Sequence, residues 1–227
     1  MPFARFEKLA PEKREHLLEV AAREFALHGF ANASINRILE QAQMSKGATY
    51  YYFEDKVDLF CTVVHYASDA LQLTDLEVDP AQLSAESFWP TFAQLHQLPL
   101  LRAFERPWLF TVIRTAAQVS PSLRDREPLA HLAQQIQTSV LQLIQRGQDL
   151  GVIRTDLSEE LLFAWLLALD RASDHWLLDH WERLDRAEIA RISDQTVVAM
   201  RRAVAPAESE PARAFLTMDD SRNEGQL

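Results

Sequence analysis

The sequence predicts an all-α protein, and three observations over its 227 residues support that fold class. Apolar side chains recur at the three-to-four-residue spacing of an amphipathic helix along most of the chain. No stretch sustains the alternation that is typical of a strand, and residues that cap or stop helices fall between the apolar stretches. With 48% hydrophobic and 25% charged residues, the chain can bury one large core or two smaller ones.

The first long helix is predicted over residues 11–28. Gly29 follows as a C-terminal stop, and Phe30 is expected to pack back over that helix end. One face of the helix is apolar, so it is suited to support shorter neighbours. The apolar stripe consists of Leu17, Leu18, Ala21, Ala22 and Phe25.

Three helix starts follow within about two dozen residues, a density that a packed structural bundle seldom requires. Ser34 and Ser45 can each cap a short helix, and Asp55 followed by Asp58 suits the negative first turn of a longer one. Two short helices joined by a tight turn and followed by a third are typical of a helix-turn-helix, which places one helix in the major groove of DNA. The apolar face of the first short helix is formed by Ile35, Ile38, Leu39 and Ala42.

Residues 12–59 combine a helix that ends in HGF, a capped short helix, the run SKGATYYYF and the run EDKVDLF. This combination resembles the DNA-binding domain of the tetracycline-repressor (TetR-like) family of bacterial regulators. The resemblance implies double-stranded DNA as a partner and a variable helical domain for ligand binding and dimerisation in the remaining residues. One departure is Gln43, which stands in the turn where the family usually has a glycine at positive φ. A side chain in that conformation costs on the order of 1 kcal/mol, so the departure bears on DNA affinity more than on the fold.

The resemblance also gives the residues that are expected to contact DNA. Residues 46–52 form the expected recognition helix, because small residues permit close backbone approach and the hydroxyls and amine can reach phosphates or base edges. Tyr52 and Phe53 are expected to pack inside the head instead. Expected phosphate contacts are Ser45, Lys46, Tyr50 and Lys56, expected base-edge contacts are Gly47, Ala48, Thr49 and Tyr51, and further backbone contacts are Ser34 and Arg37.

The charge of the chain is unevenly distributed. Residues 1–56 contain eight Lys or Arg and eight Asp or Glu, whereas residues 57–227 contain 15 and 25, so the whole formal net charge of −10 lies downstream. DNA affinity depends on cations that neutralise phosphates. The neutral head therefore predicts a modest salt dependence of DNA binding per half-site.

The sequence shows neither a secretory signal nor a membrane span. Cys61 is the only cysteine, so no internal disulfide can form. We expect it to be a packing residue of a protein in the reducing cytoplasm. No cofactor is expected.

The chain beyond the head is predicted to continue as helices. A helix over residues 57–73 and a loop over residues 74–80 precede a helix over residues 84–98, in which Pro90 is expected to be tolerated as a first-turn residue. Pro99, Pro107, Pro121 and Pro128 are expected to separate shorter pieces. A one-faced helix over residues 129–144 is expected to be stopped by Gly151.

The last two helices are predicted to form a dimer interface. A helix over residues 158–179 opens with LLFAWLLAL, which is apolar around its circumference and needs cover on every side. Its own core can cover one side and a second subunit the other, with a helix over residues 186–204 as an amphipathic partner. The resemblance implies the same homodimer, and the alternative is a monomer in which this helix is simply buried. The predicted division is a DNA-binding domain over residues 1–56, a ligand-binding and dimerisation domain over residues 57–205, and a flexible tail over residues 206–227.

Large side chains of the second domain are candidates for an effector pocket, although aromatic residues at helical spacing are more often core fillers. Candidate polar partners for an effector are His96, Arg102, Arg114 and Gln118. The candidates for the pocket itself are Trp89, Phe92, His96, Phe104, Trp108, Phe110 and Trp165.

A group of acids and histidines in the predicted helix over residues 158–179 suggests a metal site, but the acids fall on more than one helix face. A solvated surface is therefore the favoured interpretation of this group. It consists of Asp170, Asp174, His175, Asp179 and His180.

The sequence thus predicts a ligand-responsive transcriptional regulator, with repression as the default because a bound dimer would block polymerase. The dimer would place two recognition helices on a palindromic operator, and an unidentified small-molecule effector would release it by favouring a mismatched spacing. One alternative is an enzyme, but the sequence has no Gly-rich phosphate loop, nucleophile elbow or pair of metal-binding histidines. The other is a helical module for small molecules or partners that has lost DNA binding, an alternative suggested by Gln43 and the neutral head.

Overall fold

The computed structural model describes residues 2–45, 51–74 and 78–206, and within these ranges the chain forms ten α-helices and no strand. The prediction of an all-α fold, with a helix-turn-helix head followed by a larger helical body, is confirmed. Two 3-10 turns, Pro80–Gln82 and Trp181–Arg183, precede α5 and α10. The helices are α1 (Ala4–Glu7), α2 (Pro11–Asn32), α3 (Ile35–Gln41), α4 (Lys56–Leu71), α5 (Ala85–Ala103), α6 (Pro107–Gln118), α7 (Pro121–Arg124), α8 (Glu127–Asp149), α9 (Glu159–His180) and α10 (Arg186–Val204).

The long support helix α2 is interrupted where the sequence predicts its stop. Gly29 has φ 67° and ψ 172°, a backbone conformation that suits glycine and ends the regular helix. The chain then turns back, and the ring centroid of Phe30 lies 6.3 Å from that of Phe25 and 5.1 Å from that of Phe60. The predicted stop and the predicted return of Phe30 over the helix end are both confirmed.

Three predicted caps, Ser34, Asp55 and Ser158, begin helices in the structure. The Ser34 hydroxyl accepts a hydrogen bond from the Arg37 N–H at the start of α3, and the Asp55 carboxylate accepts one from the Asp58 N–H at the start of α4. In the body, the Ser158 hydroxyl caps α9 in the same way. Asp185 and Glu188 form a reciprocal capping box at the start of α10.

Helix α5 differs from the prediction in two respects. The Ser84 cap places Pro90 beyond the first turn, so the expectation of a first-turn proline is wrong. The helix also continues through Pro99 to Ala103 instead of stopping there. Leu100 and Ala103 are 2% and 0% exposed, and burying them in the core offsets the hydrogen bond that Pro99 cannot donate. Pro107 and Pro121 do stand at the starts of α6 and α7, as expected.

Two hydrophobic cores occupy different segments of the body helices. The first core joins the head to α6, the C-terminal ends of α5 and α9, and the N-terminal end of α10. The second core lies among the N-terminal halves of α5 and α9 and the C-terminal halves of α8 and α10. Fully buried members of the first include Leu17, Phe25, Ile38, Leu59, Phe60, Leu71 and Leu109, and those of the second include Phe88, Ile144, Leu162 and Val204.

The first core contains residues from both sides of residue 56, so the predicted domain division stays a prediction. Cys61 is 5% exposed within this core, and burial raises the pKa of its thiol, in agreement with a packing residue. Gly151 has φ 68° just after α8, which confirms the predicted stop of that helix. Within the described ranges, no helix is both long enough and apolar enough to cross a bilayer. Of the predicted tail, residues 207–227 lie outside the described residues.

Candidate nucleic-acid interface

The turn of the helix-turn-helix places Gln43 in the left-handed region. Its φ is 54°, so the conformation that the family resemblance predicts for this position is confirmed. The Gln43 N–H donates to the Glu40 carbonyl at 3.1 Å, and the Met44 N–H donates to the Leu39 carbonyl at 2.9 Å. These two bonds are those of a Schellman motif, which usually has glycine at this position. The turn is therefore fully formed around a glutamine.

An ion pair between buried Glu24 and half-exposed Arg37 fixes the start of α3 to α2. Glu24 is 4% exposed, and its carboxylate accepts the Ser34 N–H at 2.7 Å and an Arg37 guanidinium N–H at 2.6 Å. Although burial opposes it, the hydrogen bonds from Arg37 and Ser34 lower the pKa of Glu24. The side chain of Arg37 is still 46% exposed, so its predicted contact with the DNA backbone stays a prediction.

Lys56 holds the start of α4 against the end of α2. Its ammonium donates to the Ala31 carbonyl at 2.9 Å and lies 5.0 Å from the centroid of the Phe30 ring. Burial lowers the pKa of Lys56. The predicted phosphate contact of this residue is untested, and the structure gives the ammonium a second role inside the head.

Only the two ends of the expected recognition segment are described. Ser45 is exposed on one side, and Tyr51 is 53% exposed on the other, where residues 51 and 52 are helical. Phe53 is 1% exposed, and its ring centroid lies 4.9 Å from that of Phe6, so the predicted packing role of Phe53 is confirmed. The predicted contacts Lys46, Gly47, Ala48, Thr49 and Tyr50 lie outside the described residues.

The segment before α2 also packs against the head, a contact that the sequence pattern does not predict. The Phe3 N–H donates to the Tyr52 carbonyl at 2.9 Å, which ties this segment to the end of the recognition segment. The Arg5 guanidinium carbon lies 4.5 Å from the centroid of the Phe3 ring and 4.3 Å from that of the Tyr51 ring. The spacing of Phe3 and Phe6 was the only available signal, and it does not show where the aromatic pair packs.

A polar cluster connects four helices of the body between the two cores. Arg114 of α6 donates to Asp174 of α9 at 2.8 Å and to Asp170 at 3.4 Å. His96 of α5 lies 3.4 Å from Asp170 and 2.7 Å from the hydroxyl of Ser193 in α10. His96 and Arg114 are two of the predicted polar partners of an effector, and the structure brings both of them to Asp170.

The two carboxyl groups of this cluster differ in their pKa values. Asp174 is 3% exposed, and burial together with the neighbouring Asp170 raises its pKa to about 8. Burial also disfavours the ionised form of Asp170, but His96 and Arg114 outweigh it and lower the pKa of that carboxyl. One carboxylate and one protonated carboxyl at neutral pH therefore share the guanidinium of Arg114.

The seven candidate pocket residues do not meet at one place. Trp89 and Phe92 belong to the second core, whereas Phe104, Trp108 and Phe110 belong to the first. His96 is part of the polar cluster, and Trp165 is 38% exposed on α9. A surface groove of about 410 Å³ contains none of these residues, and it is lined by Gln148, Thr155, Leu157, Ser158, Glu159 and Glu160.

The acids and histidines considered as a metal site are divided between two environments. Asp170 and Asp174 bind Arg114 inside the body, whereas His175 and Asp179 form an exposed pair at 3.7 Å. The His180 ring stacks on Trp176 with a centroid distance of 4.1 Å. Among the described residues, no group of three or more His, Cys, Asp or Glu side chains is arranged to hold a metal ion.

Sequence comparisons match the head to known regulators. The family model of the bacterial regulatory proteins of the tetR family matches residues 17–62. The chain is 27% identical to the HTH-type transcriptional repressor AcnR of Corynebacterium diphtheriae over 156 residues, which cover 68% of this chain and 75% of AcnR. It is 32% identical to the HTH-type transcriptional regulator AcrR of Shigella flexneri over 81 residues, which cover 36% of this chain and 34% of AcrR.

Solved structures show that the whole fold is shared. A TetR family transcriptional regulator from Chloroflexus aurantiacus aligns with a TM-score of 0.68 at 22% identity, over 90% of this chain and 99% of that one. FadR from Bacillus subtilis, solved in complex with stearoyl-CoA, aligns with a TM-score of 0.68 at 13% identity, over 84% of this chain and 98% of that one. The family match thus assigns the head, residues 17–62, to the tetR family of bacterial regulatory proteins, and the sequence relatives together with the shared fold support a TetR-family regulator, a class of non-enzymatic transcriptional regulators.

Proposed function

We propose that this regulator is a cytoplasmic repressor that binds a palindromic operator as a homodimer and is released by a small-molecule effector. The observation that carries the proposal is that the head fixes the chain on both sides of the recognition segment. The Schellman turn at Gln43 and the capped start of α4 at Asp55 bound the recognition segment, and Tyr51 near its end is 53% exposed. In the proposal the segment between these two fixed points is the recognition helix, and fixed ends are what insertion of such a helix into a major groove requires.

The proposed DNA contacts follow from this placement of the recognition segment. The recognition segment would supply the base-edge contacts from Gly47, Ala48, Thr49 and Tyr51 and most of the phosphate contacts. Arg37 and Lys56 would add contacts with the DNA backbone. The carboxylate of Glu24 already orients the side chain of Arg37, and the carbonyl of Ala31 already orients that of Lys56. Side chains that are ordered before binding lose less conformational entropy on binding DNA.

The proposed homodimer is supported by an exposed apolar stripe on α9. Leu161, Trp165 and Trp176 are 41%, 38% and 46% exposed, and Ala168 and Ala172 between them are also exposed. These positions share one helix face, because their spacings are close to whole helical turns. Val198 is 47% exposed on the neighbouring α10. A second copy would bury these residues in a four-helix interface and would fix the separation of the two heads.

The effector is proposed to act through the body helices that contact the head. Helix α2 packs along α6, and Arg114 of α6 is held by Asp170 and Asp174 of α9. A ligand that binds one arrangement of these helices better than another would shift the equilibrium towards that arrangement and its separation of the heads. The free energy of this shift equals the difference between the ligand's binding free energies for the two arrangements. The binding of stearoyl-CoA by the FadR neighbour supports a small-molecule effector in this type of body. The effector pocket stays a prediction, because its seven candidate residues are divided among the two cores, the polar cluster and the surface of α9, whereas the polar partners His96 and Arg114 do come together at Asp170.

The test is selection of bound duplexes from a random pool by the full-length protein, followed by gel shifts with candidate small molecules. We expect enrichment of an inverted repeat and release of that duplex by an effector. Lys46→Ala is expected to weaken all sequences alike, whereas Thr49→Ala should change the sequence preference. Enrichment of no duplex, together with tight binding of a small molecule, would instead identify a binding module that has lost DNA recognition.

A further inference from the structure

The segment before α2 is fixed against the end of the proposed recognition helix. The Phe3 N–H donates to the Tyr52 carbonyl at 2.9 Å, and Phe6 is 1% exposed with its ring centroid 4.9 Å from that of Phe53. Two anchors on opposite sides of Arg5 therefore determine where this side chain lies. The position of Arg5 is therefore determined by contacts with the end of the recognition segment and not by contacts with the body.

Arg5 is held by aromatic rings and not by an acid. Its guanidinium carbon lies 4.5 Å from the Phe3 ring centroid and 4.3 Å from the Tyr51 ring centroid. Both rings are substantially exposed, at 39% and 53%, and Arg5 itself is exposed. Stacking against a ring restricts the guanidinium and leaves the N–H donors at its edge available for an anion.

The other cations of the described head are mostly neutralised or bonded within the protein. Arg14 pairs with Glu7 at 2.8 Å, and Arg23 pairs with Glu19 at 3.3 Å. Arg37 and Lys56 are held by Glu24 and by the Ala31 carbonyl. Arg5 has no carboxylate partner among the described residues, so its full charge faces solvent beside Tyr51. A head with equal numbers of acids and bases has few such cations to offer a phosphate.

We propose that Arg5 binds a phosphate of the DNA backbone beside the groove that receives the recognition helix, with Phe3 and Tyr51 positioning its guanidinium. The inference rests on the proposed DNA-binding function and adds a contact outside the helix-turn-helix. A phosphate contact carries no sequence information, so Arg5 contributes affinity to every duplex. It also contributes counterion release, which appears in the salt dependence of binding.

The experiment measures dissociation constants of the full-length protein for its selected duplex and for an unrelated duplex over a series of salt concentrations. Arg5→Ala is expected to weaken both duplexes by a similar factor, roughly tenfold, and to reduce the salt slope by about one per half-site. Arg5→Lys keeps the positive charge but lacks the planar guanidinium, so its affinity for both duplexes should lie between those of the wild type and Arg5→Ala. Lys8→Ala removes an exposed cation of the same segment that has no described aromatic contact, and is expected to have the smaller effect.

The outcomes separate this inference from the function on which it rests. If the wild-type protein binds no duplex, the proposed function and the inference both fail. If it binds a palindrome but Arg5→Ala leaves the salt slope unchanged, only the inference is overturned. A loss confined to one base position would also overturn it, because that result identifies a base contact. Circular dichroism of Arg5→Ala should match that of the wild type, since the side chain is exposed.

Discussion

Gln43 occupies a backbone conformation that is better suited to glycine. At φ 54°, its Cβ is strained, but the turn retains both of its closing hydrogen bonds. Gln43→Gly should relieve that strain while increasing the freedom of the unfolded chain, so we expect the free energy of unfolding to rise by about 0.5 kcal/mol. Gln43→Ala keeps a Cβ and should give no gain. Urea unfolding of both variants measures the difference, and equal stability of the two would contradict the argument.

Glu24 stabilises the head through hydrogen bonds that only its ionised form can accept together. Glu24→Gln is expected to lower the free energy of unfolding by roughly 2 kcal/mol, the scale of a hydrogen bond to a charged group. The control is Glu19→Gln, which breaks a surface pair with Arg23 and should change stability little. A loss in the control as large as that in Glu24→Gln would show that the buried position has no special role.

The lowered pKa of Glu24 also predicts the direction in which the stability of the protein changes with pH. Because the folded pKa is lowered, the unfolded chain takes up the proton first as the pH falls below the ordinary value of 4.5. The stabilisation is therefore present above that value and is lost as the pH falls towards the folded pKa. Glu24→Gln should show a weaker loss of stability on acidification than the wild type, by the same unfolding measurement.

Local signals in the sequence were sufficient for the caps but not for the ion pairs. Ser34 and Asp55 bind amides three residues away, so a short pattern predicts both contacts. Arg37 and Lys56 bind groups 13 and 25 residues earlier in the chain, and these depend on how α2 packs. The DNA-contact roles were therefore predicted from the motif, whereas the contacts that orient these side chains came only from the tertiary structure.

At the scale of helices, packing decides features that the sequence pattern leaves open. The Ser158 cap and the helical spacing of apolar residues predicted the bounds of α9 and α10 closely. Pro99 was expected to end α5, but burial of Leu100 and Ala103 extends that helix into the first core. A proline signals a local cost, and the sequence does not show what distant packing will offset it.

Gly147 lets α8 approach its neighbours closely. A Cβ at this position would lie 2.6 Å from Ile153 Cδ1 and 2.9 Å from Phe88 Cζ, and both of these side chains are buried. Helix propensity alone favours alanine by about 1 kcal/mol, but overpacking costs about 1–3 kcal/mol. We expect Gly147→Ala to lower the free energy of unfolding by about 1 kcal/mol, whereas Gln134→Ala on the exposed face of α8 should be neutral. A stabilised Gly147→Ala protein would show that Ile153 and Phe88 can move aside.

The polar cluster links four helices, and one of its carboxyl groups, that of Asp174, has a pKa raised to about 8. Its titratable and charged groups are His96 of α5, Arg114 of α6, and Asp170 and Asp174 of α9, with the Ser193 hydroxyl from α10. Between the ordinary pKa of 3.8 and the folded value of about 8, the folded state retains a proton on Asp174 that the unfolded chain has lost. Stability contributed by this group therefore falls as the pH rises through that window.

Asp174→Asn should remove this pH dependence because an amide does not titrate in the window. We expect the variant to gain stability relative to the wild type as the pH rises from about 6 to about 9, measured by urea unfolding. Asp179→Asn is the matched control, since Asp179 lies on the same helix but is 61% exposed beside His175. A wild-type protein that becomes more stable than Asp174→Asn towards high pH would contradict the assignment.

At the scale of the whole molecule, charge and apolar surface are arranged at different places. The head is neutral, the remaining chain has the net charge of −10, and an apolar stripe runs along the exposed face of α9. A negatively charged body is repelled by DNA, so only the head can approach the phosphates closely. Pairing through α9 and α10 would bury the stripe and orient both heads towards the same duplex.

Trp165 tests whether this stripe pairs two copies of the chain. Trp165→Glu would place a carboxylate from each copy in the apolar interface, and its desolvation should favour monomers. We expect a dimer for the wild type and a monomer for the variant in sedimentation velocity at micromolar concentration. Affinity for the selected palindrome should fall by at least about tenfold, because each half-site is then bound separately.

The matched control for Trp165→Glu is Leu98→Glu. Leu98 is 43% exposed on α5, close to the 38% of Trp165, but lies outside the stripe. This variant should remain dimeric and bind the palindrome as the wild type does. A dimeric Trp165→Glu protein, or a wild type that sediments as a monomer, would contradict pairing through α9. A variant that is monomeric yet binds the palindrome with undiminished affinity would separate dimerisation from operator binding, because the spacing of the heads would then contribute nothing to affinity.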